Sequence, residues 1–396
     1  MKRRAAVTGL GPRYLLTEGS MAHTIRYHRR IASRPRTVVV QPDGFCNLAC
    51  RYCYLPDKER RSPMPLAVAE AVARSVSEFA DPSSPLEIVW HAGEPMALGV
   101  RRFVELVEPF EELRRTGALH HYVQTNATLV TDAWCDFFAD REFRIGVSVD
   151  GPAALNCDRV DRTGKPAFSR SIRGIRRLRD AGIGFSVIAV VTADGISRPE
   201  ELLDFFAELG CHTVGFNIEE SEGASTTRQT PVLEEAVEFW RRTITWTRAH
   251  PELRVREVDR LGGYLRALRA GNGWRDVLID PIPAVSSAGE VVLLSPELAG
   301  VTAPGYQDFR AGNVLERSIG AMLTDAHRLR YVDEFLTGLD NCEATCEFFG
   351  FCRGAQAGNR FFENGCFDST ETNHCRVSKQ ALLIALSDTV RKEQAA

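Results

Sequence analysis

The stretch QPDGFCNLACRYCYLP, residues 41–56, comes directly after the short apolar run TVVV at 37–40 and is followed by the amphipathic stretch PLAVAEAVARSVSEFA at 65–80. A β-branched run, a polar loop and a helical pattern in that order read as the start of a βα unit. The loop carries Cys46, Cys50 and Cys53 at spacings of three and two residues. Thiolates so spaced can be wrapped around one metal centre by a single tight loop, yet a site closed by protein alone normally takes four ligands.

Outward from this loop the same alternation repeats. Strands are predicted at TVVVQ (37–41), LEIVWH (86–91), HYVQTN (121–126), RIGVSVDG (144–151), FSVIAVVT (185–192) and TVGFNIE (213–219). Between them lie the helical patterns of residues 65–80, 100–115, 131–140, 168–182 and 199–210, with Asp132 and Ser169 in capping positions and Gly182 and Gly210 as helix ends. Apolar strands each followed by a helix imply a parallel sheet buried on both faces. An open doubly wound sheet and a barrel both fit that alternation, and the polar strand ends decide between them. The cysteine loop, HAGEP (91–95), QTNAT (124–128), SVDG (148–151) and NIEE (217–220) each follow a strand. Many C-terminal strand ends converging on one mouth indicate a barrel, whereas an open sheet gathers its ligand at one switch point. The expected fold is therefore α/β, a partial (β/α)6 TIM-type barrel. Past about residue 265 the pattern gives way to Gly- and Pro-containing loops with a hairpin at 284–295, and a cysteine-rich segment begins at Asn341. This divides the chain into a basic, flexible arm (1–36), the barrel (37–265), a bridging region (266–340) and a C-terminal cysteine-rich domain (341–396).

Bulk composition agrees with a globular enzyme-sized chain. The 396 residues are 44% hydrophobic and 26% charged, and no window is apolar enough to cross a bilayer. No secretory pattern follows the basic start, so the expected location is the cytoplasm. Eleven cysteines in such a setting point to metal or cluster binding rather than disulfides. Residues 1–36 hold nine Lys or Arg against the single acid Glu18. Without an RNA-binding signature or interleaved aromatics this arm reads as a solvated tail, and neither nucleic acid nor membrane is an expected partner. A translation start at Met21 is also compatible with the sequence.

A zinc site would need a closed set of four ligands, and nothing near Cys53 completes one. A four-iron cluster held by three cysteines leaves one iron open to an outside ligand. The motif Cys46-x3-Cys50-x2-Cys53, with Tyr52 before the last cysteine, resembles that of the radical S-adenosylmethionine (SAM) superfamily. The resemblance implies that the open iron chelates the amino and carboxylate groups of SAM, and that reduction cleaves the sulfonium to a 5′-deoxyadenosyl radical. Residue by residue, HAGEP resembles the family's GGEP motif with Ala92 in place of the first glycine, so Gly93 and Glu94 would hold the methionyl amino group. Asn126 and Ser148 resemble ribose contacts, and Arg159 the carboxylate contact, with Arg162 as its competitor. Asp150, beside Ser148, is either part of the SAM site or a simple turn residue. His91 reads as an ordinary hydrogen-bonded strand-end histidine.

The tail NCEATCEFFGFCRG…ENGCFDSTETNHC resembles the SPASM extension of peptide-modifying members of that superfamily. It implies one auxiliary [4Fe-4S] cluster on Cys342, Cys346, Cys352 and Cys375, with Cys366 spare, while a structural zinc site is the alternative for four cysteines. GFNIEESEGASTT (215–227) and ENGCFDSTET (363–372) resemble the cyclophane-forming GrrM/FxsB-type maturases. That likeness implies a ribosomal precursor peptide as substrate, a bond from a side-chain Cβ to an aromatic carbon, and an electron donor such as a flavodoxin or ferredoxin. Asp280, Glu219 and Glu220 are the candidate bases. Two other readings stand beside this one: an anaerobic sulfatase maturase making formylglycine, and a zinc-stabilised scaffold without turnover.

Overall fold

In the computed structural model the described residues are 18–223, 225, 230–354 and 356–395. Residues 1–17 of the arm, and most of the GASTT segment, lie outside them.

All six predicted strands form. β1 (Thr37–Val40), β2 (Leu86–Trp90), β3 (Leu119–Thr125), β4 (Arg144–Ser148), β5 (Phe185–Val191) and β6 (Thr213–Ile218) pair in parallel, each with the next in sequence. Four short strands extend the sheet. β7 (Arg254–Val255) joins β6, β8 (Ala284–Val285) runs parallel to β1, and β9 (Glu290–Val292) and β10 (Gly312–Asn313) follow antiparallel. The order β10-β9-β8-β1-β2-β3-β4-β5-β6-β7 never reverses between β1 and β6. A doubly wound sheet needs such a reversal to make its ligand crevice. Its absence here gives the partial barrel, with every strand's C-terminal end at the same mouth.

One expectation is corrected by the burial pattern. The strands are not buried evenly on both faces: β3 and β5 alternate strictly between buried and half-buried residues. The buried set, such as Val123 and Val187, faces the outer helices, while Gln124, Ile188 and Val190 face an internal cavity. Aromatic packing fills the helix side, where Trp90, Phe103, Phe110, Phe138 and Phe143 surround the buried His121.

Helix ends follow the glycine expectation but not the capping one. Gly182 and Gly210 stand at φ +71° and +77° after their helices, a conformation that costs an L side chain roughly 1–2 kcal/mol. Asp132 is the first residue of the helix Asp132–Asp140, whose cap position is Thr131, and Ser169 lies inside the helix Phe168–Asp180. That second helix carries Gly174 against the QTNAT turn, where a Cβ would come 1.8 Å from the Ala127 carbonyl oxygen. The close approach lets Ser171 Oγ donate to the Asn126 carbonyl at 2.9 Å, fixing the turn after β3.

The described part of the N-terminal arm is not a flexible tail. Glu18–Arg30 is a helix, and Arg26 donates to Asp340 (2.9 Å), Asp333 (3.3 Å) and Thr337 (3.0 Å), while Arg30 pairs with Asp340 (2.8 Å) and Glu343. Those partners all lie on the helix Arg330–Thr345, which also carries Cys342. The domain boundary expected at 341 therefore falls inside a helix, as does the one at 265, within Arg256–Arg269. No helix among the described residues is long and apolar enough to cross a membrane.

Candidate functional site

The cysteine loop is organised by Asp43, which is fully buried. Its Oδ1 accepts the backbone N–H groups of Phe45 (3.1 Å) and Ser62 (2.7 Å), closing the loop at both ends. Cys46 N donates to the Lys58 carbonyl (2.8 Å) and Ala49 N to that of Val160 (2.8 Å), so the loop is stitched to itself and to the segment after β4. Cys46, Cys50 and Cys53 all line one cavity of about 490 Å³ at the barrel mouth. Ligand pockets commonly occupy roughly 300–1,000 Å³. Burial pushes the Cys46 thiol up to about 12 and the Cys50 thiol to about 11. A bound metal centre reverses that penalty, because a coordinating thiol is deprotonated outright.

After β2, Ala92 and Gly93 stand at φ +68° and +61° and form part of the cavity wall. Gly93 is required by packing as well as conformation, since a Cβ would lie 2.5 Å from the Phe45 carbonyl oxygen and 2.6 Å from that of Asp43. Glu94, 1% exposed, accepts from Met96 N (3.1 Å) and Thr125 Oγ1 (2.7 Å) at Oε1 and from Asn126 N (2.8 Å) at Oε2. Burial raises its carboxyl to about 7. Three of roughly four acceptor positions of a carboxylate are thus committed to the protein, and Glu94 chiefly ties the ends of β2 and β3 together. Asn126 Oδ1 accepts from Thr128 N (3.0 Å) and Thr128 Oγ1 (2.6 Å), and its Nδ2 donates to Asn47 Oδ1 (2.9 Å), joining β3 to the cysteine loop. His91, half-buried, lies 3.4 Å from Tyr54 Oη through Nε2, and burial lowers its ring to about 4.

Following β4, Ser148 Oγ accepts from Gln124 Nε2 at 2.8 Å on the cavity wall. Asp150 is 2% exposed, and its carboxylate receives Arg159 Nε (3.0 Å) and Nη2 (2.8 Å), Val190 N (2.9 Å) and Tyr52 Oη. Asp150 therefore does not line the cavity. It positions Arg159 and Tyr52, which do. Arg162 points instead at Glu59 and stacks over Phe45, so Arg159 is the one of the two arginines that the fold brings to the site.

The far wall comes from sequence-distant segments. Glu219 and Glu220 both reach the cavity beyond β6, and Glu220 Oε2 pairs with His374 Nδ1 at 3.1 Å and accepts from Asn359. Glu222 and Glu297 join them, and burial, then the Glu220 charge, raises the Glu222 carboxyl; burial also raises Glu297. Arg260 and Lys379 stand on the same wall. Sequence reading found the Glu219–Glu220 pair from its strand-end position; Glu297, His374 and Lys379 carry no local signal because only tertiary folding brings them there. Asp280 lies elsewhere. Its carboxylate accepts from the N–H groups of Arg36 (3.2 Å), Thr37 (3.1 Å) and Ile282 (3.3 Å), at the N-terminal start of β1 and so opposite the mouth.

In the tail, Cys342, Cys346, Cys352 and Cys375 line one pocket together with Arg360, while Cys366 stays outside it. The hydrogen bond between Cys352 and Cys375 lowers the Cys352 thiol and raises that of Cys375. Among the described residues no three His, Cys, Asp or Glu side chains converge closely enough to chelate a single ion.

A parallel barrel thus presents a three-cysteine loop at its mouth, facing a cavity of about 490 Å³. Residues 40–206 match the family described as the radical SAM superfamily. The protein sll1766 of Synechocystis sp. is 34% identical over 354 residues, covering 86% of this chain and 88% of that one. The chain belongs to the radical SAM superfamily, an enzyme family whose cofactors are S-adenosyl-L-methionine and a [4Fe-4S] cluster, and the reading as a non-enzymatic zinc scaffold falls with that assignment. The serine-type anaerobic sulfatase-maturating enzyme of Bacteroides thetaiotaomicron is 31% identical over 191 residues, 46% of either chain. Among solved structures, anSMEcpe with bound AdoMet superposes with a TM-score of 0.72 at 20% identity, over 90% of this chain and 98% of that one. Streptococcus suis SuiB bound to precursor peptide SuiA gives 0.63 at 18% identity, over 96% and 84%. Likenesses at such identities establish the fold.

Proposed function

We propose that this enzyme modifies a ribosomally made precursor peptide, joining a side-chain Cβ to an aromatic carbon of a nearby residue. One observation carries the reading: a single cavity has the radical-cluster cysteines on one wall and, on the other, the Glu220–His374 pair and Lys379 of the cysteine-rich tail. A peptide inside it would meet hydrogen-abstraction chemistry and a proton acceptor in the same space. Structural neighbours hold peptides, SuiB its precursor SuiA and anSMEcpe its Cp18Cys peptide, which supports the substrate class.

Bound SAM supplies the 5′-deoxyadenosyl radical. The Ala92–Gly93 backbone and the remaining acceptor position of Glu94 suit its amino group, Arg159 its carboxylate, and Ser148 with Asn126 its ribose. Abstraction removes one hydrogen atom from the peptide Cβ, and the carbon radical adds to the ring. The ring regains aromaticity by losing a proton, for which Glu220 and His374 are the acceptors, and an electron, for which an auxiliary [4Fe-4S] cluster on Cys342, Cys346, Cys352 and Cys375 is the acceptor. The product is two hydrogens lighter than its precursor. A flavodoxin or ferredoxin is the expected source of the priming electron.

The sulfatase-maturase reading is supported by the 31% match over 191 residues. A cross-link and a formylglycine made from serine both leave the peptide two hydrogens lighter, so mass alone does not separate them. Co-expression with the precursor, followed by tandem mass spectrometry and hydrazide labelling, does. A cross-link blocks fragmentation between the joined residues and leaves no aldehyde; a hydrazide-reactive residue assigns the enzyme to the maturases instead. The Cys46→Ala, Cys50→Ala, Cys53→Ala triple variant is expected to lose all reductive cleavage of SAM.

A further inference from the structure

Arg360 is 2% exposed and faces the sulfurs of Cys342, Cys352 and Cys375. Its Nη2 donates to Cys342 Sγ (3.4 Å) and to the Gly354 carbonyl (2.8 Å), and its Nη1 to the Phe367 carbonyl (3.0 Å). The guanidinium lies 5.1 Å from the Phe335 ring centroid. The chain clears space for this side chain. A Cβ at Gly338 would come 1.7 Å from Nη1. A second polar group is aimed at the same sulfur set: Gln380 Nε2 lies 3.6 Å from Cys375 Sγ and is held by Glu371 Oε1 at 2.8 Å.

A buried guanidinium is costly unless a negative group compensates it. Neutral thiols do not, whereas four thiolates around a metal centre carry net negative charge. Adding an electron makes that centre more negative still. A fixed positive charge and N–H donors at the ligating sulfurs therefore favour the reduced state and raise the reduction potential. We propose that Arg360, assisted by Gln380, holds the auxiliary cluster at a potential high enough to take the electron released when the peptide ring regains aromaticity. The cluster gains one electron, the ring radical loses one, and the accompanying proton leaves to Glu220 and His374. This role rests on reading the four tail cysteines as cluster ligands. Arg360 touches neither substrate nor SAM, and is a positioning and tuning residue.

The test uses the full chain with Cys46, Cys50 and Cys53 changed to Ala, so that only the tail centre contributes to the spectrum. Metal analysis comes first, then potentiometric titration followed by EPR, on this background and with Arg360→Lys, Arg360→Met and Gln380→Leu added. Iron and sulfide in the tail, a midpoint shifted lower by Arg360→Met, and smaller shifts in the same direction for Arg360→Lys and Gln380→Leu support the role. Should Arg360→Met fail to assemble, the other two variants decide. An unchanged midpoint in both, with iron content intact, overturns the tuning role while leaving the cluster standing. Zinc in place of iron overturns the cluster reading and this role with it.

Discussion

Arg159 reaches the cavity only because Asp150, nine residues earlier, grips it through two hydrogen bonds of 3.0 and 2.8 Å in a nearly dry setting. Removing one partner of a buried pair costs roughly 3–5 kcal/mol, since the other charge is left uncompensated. Asp150→Asn is therefore expected to lower the anaerobic melting temperature and to weaken SAM binding by about tenfold or more, each tenfold being about 1.4 kcal/mol. Iron content of the radical cluster stays near normal. Equilibrium dialysis with labelled SAM checks this, and unaltered affinity would remove Arg159 from the SAM site.

Ala92 and Gly93 share a left-handed backbone but not the same surroundings. At Ala92 the side chain pays the conformational cost, so Ala92→Gly is expected to stabilise by up to about 0.5 kcal/mol once glycine's extra chain entropy is subtracted. At Gly93 a methyl group meets two carbonyl oxygens of the cysteine loop. Gly93→Ala should destabilise and lower the iron load. Thermal melts of both variants, with iron assays, show whether adjacent substitutions take opposite signs.

His121 is 1% exposed, accepts Trp90 Nε1–H at 3.1 Å and stacks on Phe143 at 4.9 Å. Burial, aided by Arg114 and Arg141, holds its ring down at about 3. With the folded value below the unfolded one of about 6.5, the unfolded chain binds the proton first. Stability is thus complete above pH 6.5 and lost as pH falls toward 3, by up to about 1.4 kcal/mol per pH unit. His121→Gln keeps an acceptor but cannot titrate. Its melting temperature should be lower at pH 7.5 and flatter between pH 6.5 and 4 than that of the parent; parallel curves would contradict this.

Glu220 Oε2 lies 3.1 Å from His374 Nδ1 and accepts from Asn359 Nδ2 across the cavity. Glu220→Gln should lower product formation by about 10²–10⁴-fold, the usual contribution of a positioned acid or base. Formation of 5′-deoxyadenosine continues. A variant that loses both in parallel would place Glu220 in SAM binding rather than proton removal.

The barrel was legible because its signal is local and repeated: the six main strands are apolar runs, five of them ending in a polar motif, and all six form where the pattern puts them. The first cysteine set was legible because its short spacings lie on one loop, while Cys342, Cys346, Cys352 and Cys375 come from separate helices and a turn that the structure gathers, leaving Cys366 aside. What escaped was whatever depends on direction. Glu94 lines the cavity as its place in HAGEP suggests, but the motif does not show that Met96, Thr125 and Asn126 take most of its acceptor positions. Asp280 reads as a base, but parallel pairing puts it at the wrong end of β1. Strands of two residues, β7, β8 and β10, are too short for a period of two to register.

The helix Glu18–Arg30 clasps the helix Arg330–Thr345, which bears Cys342. The segment thus meets its partner more than 300 positions away in sequence, a non-local contact of the kind that slows folding because loop closure must come before the contact rewards it.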